Sequence, residues 1–125
     1  MIVGIGTDIV AVDRIGAFRA RHGERGLHRL FASDELDYCL GLARPLPSLA
    51  ARFAAKEAFF KAVGTGCGSG GRWTDVAVRH DARRAPRLDL RGRAAESARR
   101  AGVRRLHLSL SHTMRHATAY VVLEG

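Results

Sequence analysis

The chain has 125 residues, 46% of them apolar, and its 21 Lys and Arg against 12 Asp and Glu give a formal net charge of +9. That length and apolar content fit one domain, residues 1–125, with a core of its own, and exclude wholesale disorder. Only Cys39 and Cys67 occur, outside any CxxC pattern, which excludes a disulfide scaffold or a zinc ribbon.

The opening MIVGIGTDIV carries no basic leader, and no apolar run reaches the ~20 residues that span a bilayer, so a cytoplasmic protein without membrane contact is expected. The positive charge suits an anionic partner: nucleic acid, an acidic protein or a phosphorylated small molecule. It suits equally well a solvated arginine surface.

Ile2–Val10 is β-rich and nearly continuously apolar, which predicts a buried strand. Gly4 and Gly6 interrupt it, and glycine within a strand permits close approach of another backbone or a bulge. Asp8 is the only charge between Ile2 and Val12. A carboxylate in such surroundings is costly unless it caps a backbone amide, is paired or binds metal.

Asp13 is a candidate N-cap for a helix from Arg14 to about His22, ended by Gly23, with Leu27–Phe31 as a further helical turn. Arg14, Arg21 and Arg25 form a basic stripe, a solvated face or a docking site for an acidic helix. A second helix starts after Ser33, where Asp34 and Glu35 complement the positive end of its dipole, and stops near Gly41.

The longest stretch of helix formers is Ser48–Gly66, SLAARFAAKEAFFKAVGTG, with Ser48 as N-cap and Gly64 as the left-handed terminus. At about 100° per residue, Leu49, Phe53 and Phe60 share one facet and Ala51, Ala55, Phe59 and Ala62 another. Most of this helix is therefore expected to be buried, with alanines that let a sheet approach closely. Glu57 and Lys61, one turn apart, lie at an edge where the helix meets a cleft. The following GTGCGSGG loop offers unobstructed backbone N–H groups to phosphate, or is a plain connector; it lacks P-loop spacing.

Trp73–His80 and Arg87–Arg91 read as a hairpin across the turn Asp81–Pro86. Arg93–Ala101 is an Ala-rich helix ended by Gly102. Leu106, Leu108 and Leu110 alternate with polar residues in a strand, and after a turn at His112–Arg115 the last strand runs from Ala117 to Leu123. The class is α+β: a small single domain whose mainly antiparallel sheet packs around a central buried helix.

If Asp8 and Glu57 converge, they form a hard oxygen site suited to Mg²⁺, which needs only one or two protein carboxylates and takes water and phosphate oxygens as its other ligands. Lys61 could reach the same phosphate as a point charge. The bland alternative is a Glu57–Lys61 surface pair worth about 0.3 kcal/mol. His112 and His116 flank a turn and are not placed as a zinc pair. Without a GxSxG elbow, Ser109, Ser111 and His112 do not indicate a serine hydrolase.

GIGTDIVAVDRI at 4–15, RFAAKEAFFKAVGTG at 52–66 and LSLSHT at 108–113 together resemble the holo-[acyl-carrier-protein] synthases, small 4'-phosphopantetheinyl transferases, from the first strand to the last. The resemblance implies transfer of 4'-phosphopantetheine from coenzyme A to a serine of an acidic acyl carrier protein, releasing adenosine 3',5'-bisphosphate. It implies Asp8 and Glu57 as Mg²⁺ ligands and catalytic groups with Lys61. Arg52, Lys56, Lys61, Gly64, His112 and Thr113 match positions toward coenzyme A, and Arg14 and Arg21, with Arg25 on the same basic stripe, the surface that docks the carrier. It also implies a homotrimer with coenzyme A in clefts between subunits. Glu57, a metal-bound water and His112 all remain open as the base for the carrier serine. Where the family often has Gly-x-Pro in the hairpin turn, this chain has Arg84, Ala85 and Pro86.

A basic, non-enzymatic module for nucleic acid or another polyanion is the alternative. It has the charge, but only a few scattered aromatics for stacking and no use for buried acids; nucleic acid is accordingly not expected as a partner.

Overall fold

The structure, a computed structural model, describes residues 1–125. Strand β1 (Ile2–Ala11) pairs antiparallel with β5 (His116–Glu124), which pairs antiparallel with β4 (Arg105–His112), giving a sheet of order β1-β5-β4. A two-stranded hairpin, β2 (Val76–His80) and β3 (Pro86–Leu90), stands apart from it. Helices α1 (Val12–Leu30), α2 (Ser33–Leu40), α3 (Pro45–Val63) and α4 (Gly92–Arg100) complete the chain. No helix is long and apolar enough to cross a membrane.

Helix α3 is the centre of the molecule. From Leu49 to Phe60 every residue except Glu57 is buried. One continuous hydrophobic core joins it to Val10 of β1, Ile15 and Leu27 of α1, Leu36 of α2, Val76 and Val78 of β2, Ala98 of α4, and Val121 and Leu123 of β5. The α+β class, the antiparallel pairing and the central buried helix are thus as expected.

Close contact between α3 and the sheet rests on the two glycines of β1. A Cβ on Gly6 would stand 1.9 Å from the Ala58 carbonyl oxygen, and one on Gly4 would stand 2.2 Å from that of Ala62. No side chain fits there, so the strand backbone lies directly against the helix backbone. Side chains alternate along a strand, so Gly4, Gly6, Asp8 and Val10 share the face turned to α3.

The opposite face of β1 corrects one expectation. Ile5 and Ile9 are 68% and 64% exposed, and Tyr120, paired with Thr7, is 58% exposed. The strand is buried on one side only, because it is an edge strand with α3 over one face and nothing of this chain over the other.

Other boundaries differ for local reasons. Helix α3 begins at Pro45 after Arg44, not at Ser48. Proline is at home in a helix's first turn because the N–H it lacks would have no partner there. The Ser48 hydroxyl instead meets the Cys39 thiol at 3.3 Å. Helix α1 begins at Val12, with Asp13 inside its first turn, and continues beyond Gly23 after a kink at that residue (φ 63°). Trp73–Asp75 form a 3₁₀ turn in place of the start of a strand. The hairpin turn holds Arg84 at φ 64°, the only non-glycine residue with positive φ.

Candidate active site

Asp8 reaches the α3 side of the sheet near the helix's C-terminal end. Its Oδ1 accepts a 2.8 Å hydrogen bond from Lys61 Nζ, which also donates to the Thr7 carbonyl at 3.1 Å. The hydrogen bond that Lys61 donates to Asp8 holds its ammonium above its usual range and so keeps it charged. Glu57, one turn earlier on α3, faces the same spot. Burial and then the charge of Asp8 push its carboxyl up, against the opposing pull of Arg14 and Lys61. Two carboxylates, an ammonium and a guanidinium therefore share one locality at the β1–α3 contact.

This donor set fits a hard divalent cation. Two carboxylates that repel each other are stabilised by an ion between them. No third His, Cys, Asp or Glu joins them. Mg²⁺ needs no more than two, since water and phosphate oxygens fill its remaining positions.

Next to the acids lies a cleft of about 330 Å³ between α1 and α3, lined by Phe18, Leu30, Phe53 and Trp73 with Arg14 and Arg21. Arg14 stacks 5.6 Å from the centroid of the Phe53 ring. Arg25 lies beyond the Gly23 kink and is not part of this cleft, so the three arginines do not form one straight stripe.

A second cleft, of about 420 Å³, opens at the other end of α3. Arg44, Arg52, His80 and His112 line it together with Tyr38 and Met114. The Thr113 hydroxyl serves the adjoining turn, accepting the Arg115 and His116 N–H groups at 3.2 and 3.1 Å. Gly64 caps α3 in the left-handed conformation (φ 85°), its N–H bonded to Phe60 and Lys61 carbonyls.

Comparison with known proteins decides the family. The sequence profile described as the 4'-phosphopantetheinyl transferase superfamily matches residues 4–121. The chain belongs to that superfamily. It is 45% identical over 124 residues to a holo-[acyl-carrier-protein] synthase of Koribacter versatilis, covering 99% of each chain. Its fold is similar to the crystal structure of the holo-[acyl-carrier-protein] synthase of Neisseria meningitidis (TM-score 0.91, 36% identity, 100% of both chains). It is also similar to the holo-(acyl-carrier-protein) synthase of Bacillus anthracis in complex with CoA (3',5'-ADP), with a TM-score of 0.78, 38% identity, and 98% and 96% of the two chains covered.

For a phosphopantetheinyl transferase, the placement of Lys56 is the main correction. It is 0% exposed, and its ammonium donates to Glu35 Oε1 at 2.7 Å and to the carbonyls of Trp73 at 3.2 Å and Val76 at 2.5 Å. With three donors and three acceptors it has nothing left for coenzyme A. Burial pushes its pKa down, opposed by Glu35. Arg52 is also buried, at 3% exposure, but it forms part of the second cleft.

Sequence reasoning missed the burial of Glu35, read only as complementing the helix dipole and found 1% exposed, and missed Tyr38, Arg44 and His80 as cleft residues. The apolar flanks Leu36 and Cys39 were the only local sign of Glu35's burial. Its ion-pair partner lies 21 residues away on α3, beyond the reach of periodicity.

Proposed function

We propose that this chain transfers 4'-phosphopantetheine from coenzyme A to a serine hydroxyl of an acidic acyl carrier protein in the cytoplasm. The observation that carries this reading is Asp8 held by Lys61 beside Glu57, at a contact that the two glycines of β1 make possible. In this reaction the serine oxygen attacks the phosphorus of the pantetheine phosphate. The pyrophosphate P–O bond breaks, adenosine 3',5'-bisphosphate leaves with the bonding pair, and the serine proton is lost. Phosphoryl transfer asks a protein mainly for positioning and charge neutralisation.

Asp8 and Glu57 would hold Mg²⁺, which supplies charge neutralisation on the pyrophosphate. Lys61, more than half exposed, extends from Asp8 toward solvent and can place its ammonium on a phosphate oxygen. Arg14 and Arg21, at the rim of a cleft with an apolar floor, suit an acidic helix that brings the serine to Glu57. Glu57, a metal-bound water, or His112 brought in by a neighbouring protomer is the base for that serine.

The homotrimer is supported by the uncovered apolar sheet face around Ile5, Ile9 and Tyr120. It is supported also by the division of the candidate residues. Asp8, Glu57 and Lys61 sit at one end of α3 and the His112 cleft at the other. Coenzyme A bound between subunits would use the first set from one protomer and the second from its neighbour.

The test is to incubate the protein with coenzyme A, Mg²⁺ and apo-carrier proteins and to weigh the carriers. The expected result is a phosphopantetheine mass gain that disappears with Asp8→Ala. No gain with any of several carriers overturns the reading. Sedimentation should give three copies, and Tyr120→Asp should give one.

A further inference from the structure

The buried Lys56–Glu35 pair has no part in the chemistry above, yet it grips backbone as well as itself. Lys56 Nζ donates to Glu35 Oε1 at 2.7 Å and to the carbonyls of Trp73 at 3.2 Å and Val76 at 2.5 Å. One ammonium thus holds both ends of the 3₁₀ turn Trp73–Asp75, at its first carbonyl and at the start of β2. The chain enters this turn from the glycine-rich Gly64–Gly71, which has few side chains to pack. The turn's ties to α3 are therefore the Lys56 ammonium and the Trp73 ring.

That ring lies tilted against Phe53, with centroids 5.0 Å apart, and edge-on to Phe60 at 5.8 Å. Its remaining surface walls the cleft between α1 and α3, opposite Phe18 and Leu30, with Arg14 and Arg21 among the lining residues. Its indole N–H makes no hydrogen bond within the chain and is not sealed from solvent. A half-buried tryptophan held in this way offers a large rigid apolar face with a polar tip. Interface energy concentrates on anchors of this kind.

We propose that Trp73 is the apolar anchor on which an acidic carrier protein packs, and that the Lys56–Glu35 pair is the positioning element that holds this ring at the cleft wall. The proposal rests on the transferase reading. It divides the docking surface by physical effect. Rim charges such as Arg14 and Arg21 steer the encounter and fade in salt, whereas a packed aromatic sets how long the complex lasts and does not fade.

Trp73 is the only tryptophan of the chain, so its fluorescence reports the cleft wall directly. The experiment measures KM for a tryptophan-free apo-acyl carrier protein and for coenzyme A, at low and at high salt, and records tryptophan emission. The proteins are the parent, Trp73→Ala, Trp73→Phe and the double variant Glu35→Gln/Lys56→Met. Trp73→Ala should raise KM for the carrier about thirtyfold at either salt concentration, the size of one aromatic hot spot, with KM for coenzyme A unmoved. Trp73→Phe should recover most of that loss. The double variant removes both charges together and strands neither in the core. It should raise KM for the carrier about fivefold, the cost of ordering one side chain that the parent holds in place, and shift the emission to the red. The Trp73 variants leave the buried pair intact, so they still decide the matter if the double variant fails to fold. Equal losses for carrier and coenzyme A, a Trp73→Ala loss that disappears in high salt, or a folded double variant with unchanged carrier KM overturn the proposal. No transfer by the parent to any of several carriers instead removes the transferase reading, and this inference with it.

Discussion

Lys56 Nζ lies 2.7 Å from Glu35 Oε1, and neither side chain reaches solvent. A buried pair of this kind is costly to form, and more costly to break on one side. Lys56→Met should therefore destabilise the protein by about 3 kcal/mol in urea unfolding, because it leaves Glu35 ionised in the core. Adding Glu35→Gln should recover much of that loss. Should Lys56→Met leave stability intact and weaken only coenzyme A binding, the ammonium is a ligand group and not a structural one.

The β1–α3 contact makes a sharper demand. Gly6→Ala puts a methyl group 1.9 Å from a helix carbonyl oxygen, and both partners are backbone. Either the strand or the helix must move, carrying Asp8 away from Lys61. The expected loss is about 3 kcal/mol or more, at the upper end for overpacking, and transferase activity should fall with it. Gly16→Ala is the control. Its Cβ meets only the flexible Leu46 Cδ1 at 3.2 Å, so the unfolding midpoint should barely move.

Glu57 gives stability a pH dependence of defined sign. Its folded-state pKa lies above its ordinary value of 4.5, chiefly from burial and then from Asp8. Below that value the group is protonated in both folded and unfolded chains, and its contribution is fully present. As pH rises through the raised folded-state value the carboxyl must ionise beside Asp8, and that contribution is lost. In EDTA, Glu57→Gln should be the more stable protein near pH 8 and equal to the parent near pH 4. Mg²⁺ should narrow the difference at pH 8 by stabilising the parent alone. A variant less stable at every pH would show that the carboxylate is favourably held without metal.

The sequence made legible whatever is local or periodic. The Gly64 terminus of α3 and its near-total burial follow from glycine chemistry and from apolar residues on more than one side of the helix, though its start at Pro45 does not, and the β4–β5 pair follows from strict alternation. Asp8 was conspicuous because a lone acid in an apolar strand needs a partner, and Lys61 is that partner. Glu35 and Lys56 were misplaced for the opposite reason. A charged residue on a helix looks the same in sequence whether solvent or a distant counter-charge faces it, and only the tertiary pairing of α2 with α3 distinguishes the two. The exposed side of β1 escaped similarly. Continuous apolarity reports that both faces of a strand are suited to burial, not that one chain covers both.

The departure from the family's Gly-x-Pro turn has a structural counterpart in Arg84. It stands where the family often has glycine, with φ at 64°. For a residue with a Cβ this left-handed conformation costs about 1–2 kcal/mol. The turn is held nonetheless, because Asp81 Oδ1 accepts the N–H groups of Arg83 and Ala85 at 2.8 and 3.0 Å, and the Asp81 N–H bonds to the Ala85 carbonyl at 2.9 Å. Arg84→Gly removes the strain and returns part of the gain through the greater freedom of glycine in the unfolded chain. The net expectation is a stabilisation of about 0.5 kcal/mol, read as a higher urea midpoint at unchanged slope. Asp81→Ala should act in the opposite direction by about 1 kcal/mol, since it strips the turn of both accepted bonds. If Arg84→Gly is instead destabilising, the arginine side chain contributes a contact that outweighs its backbone strain.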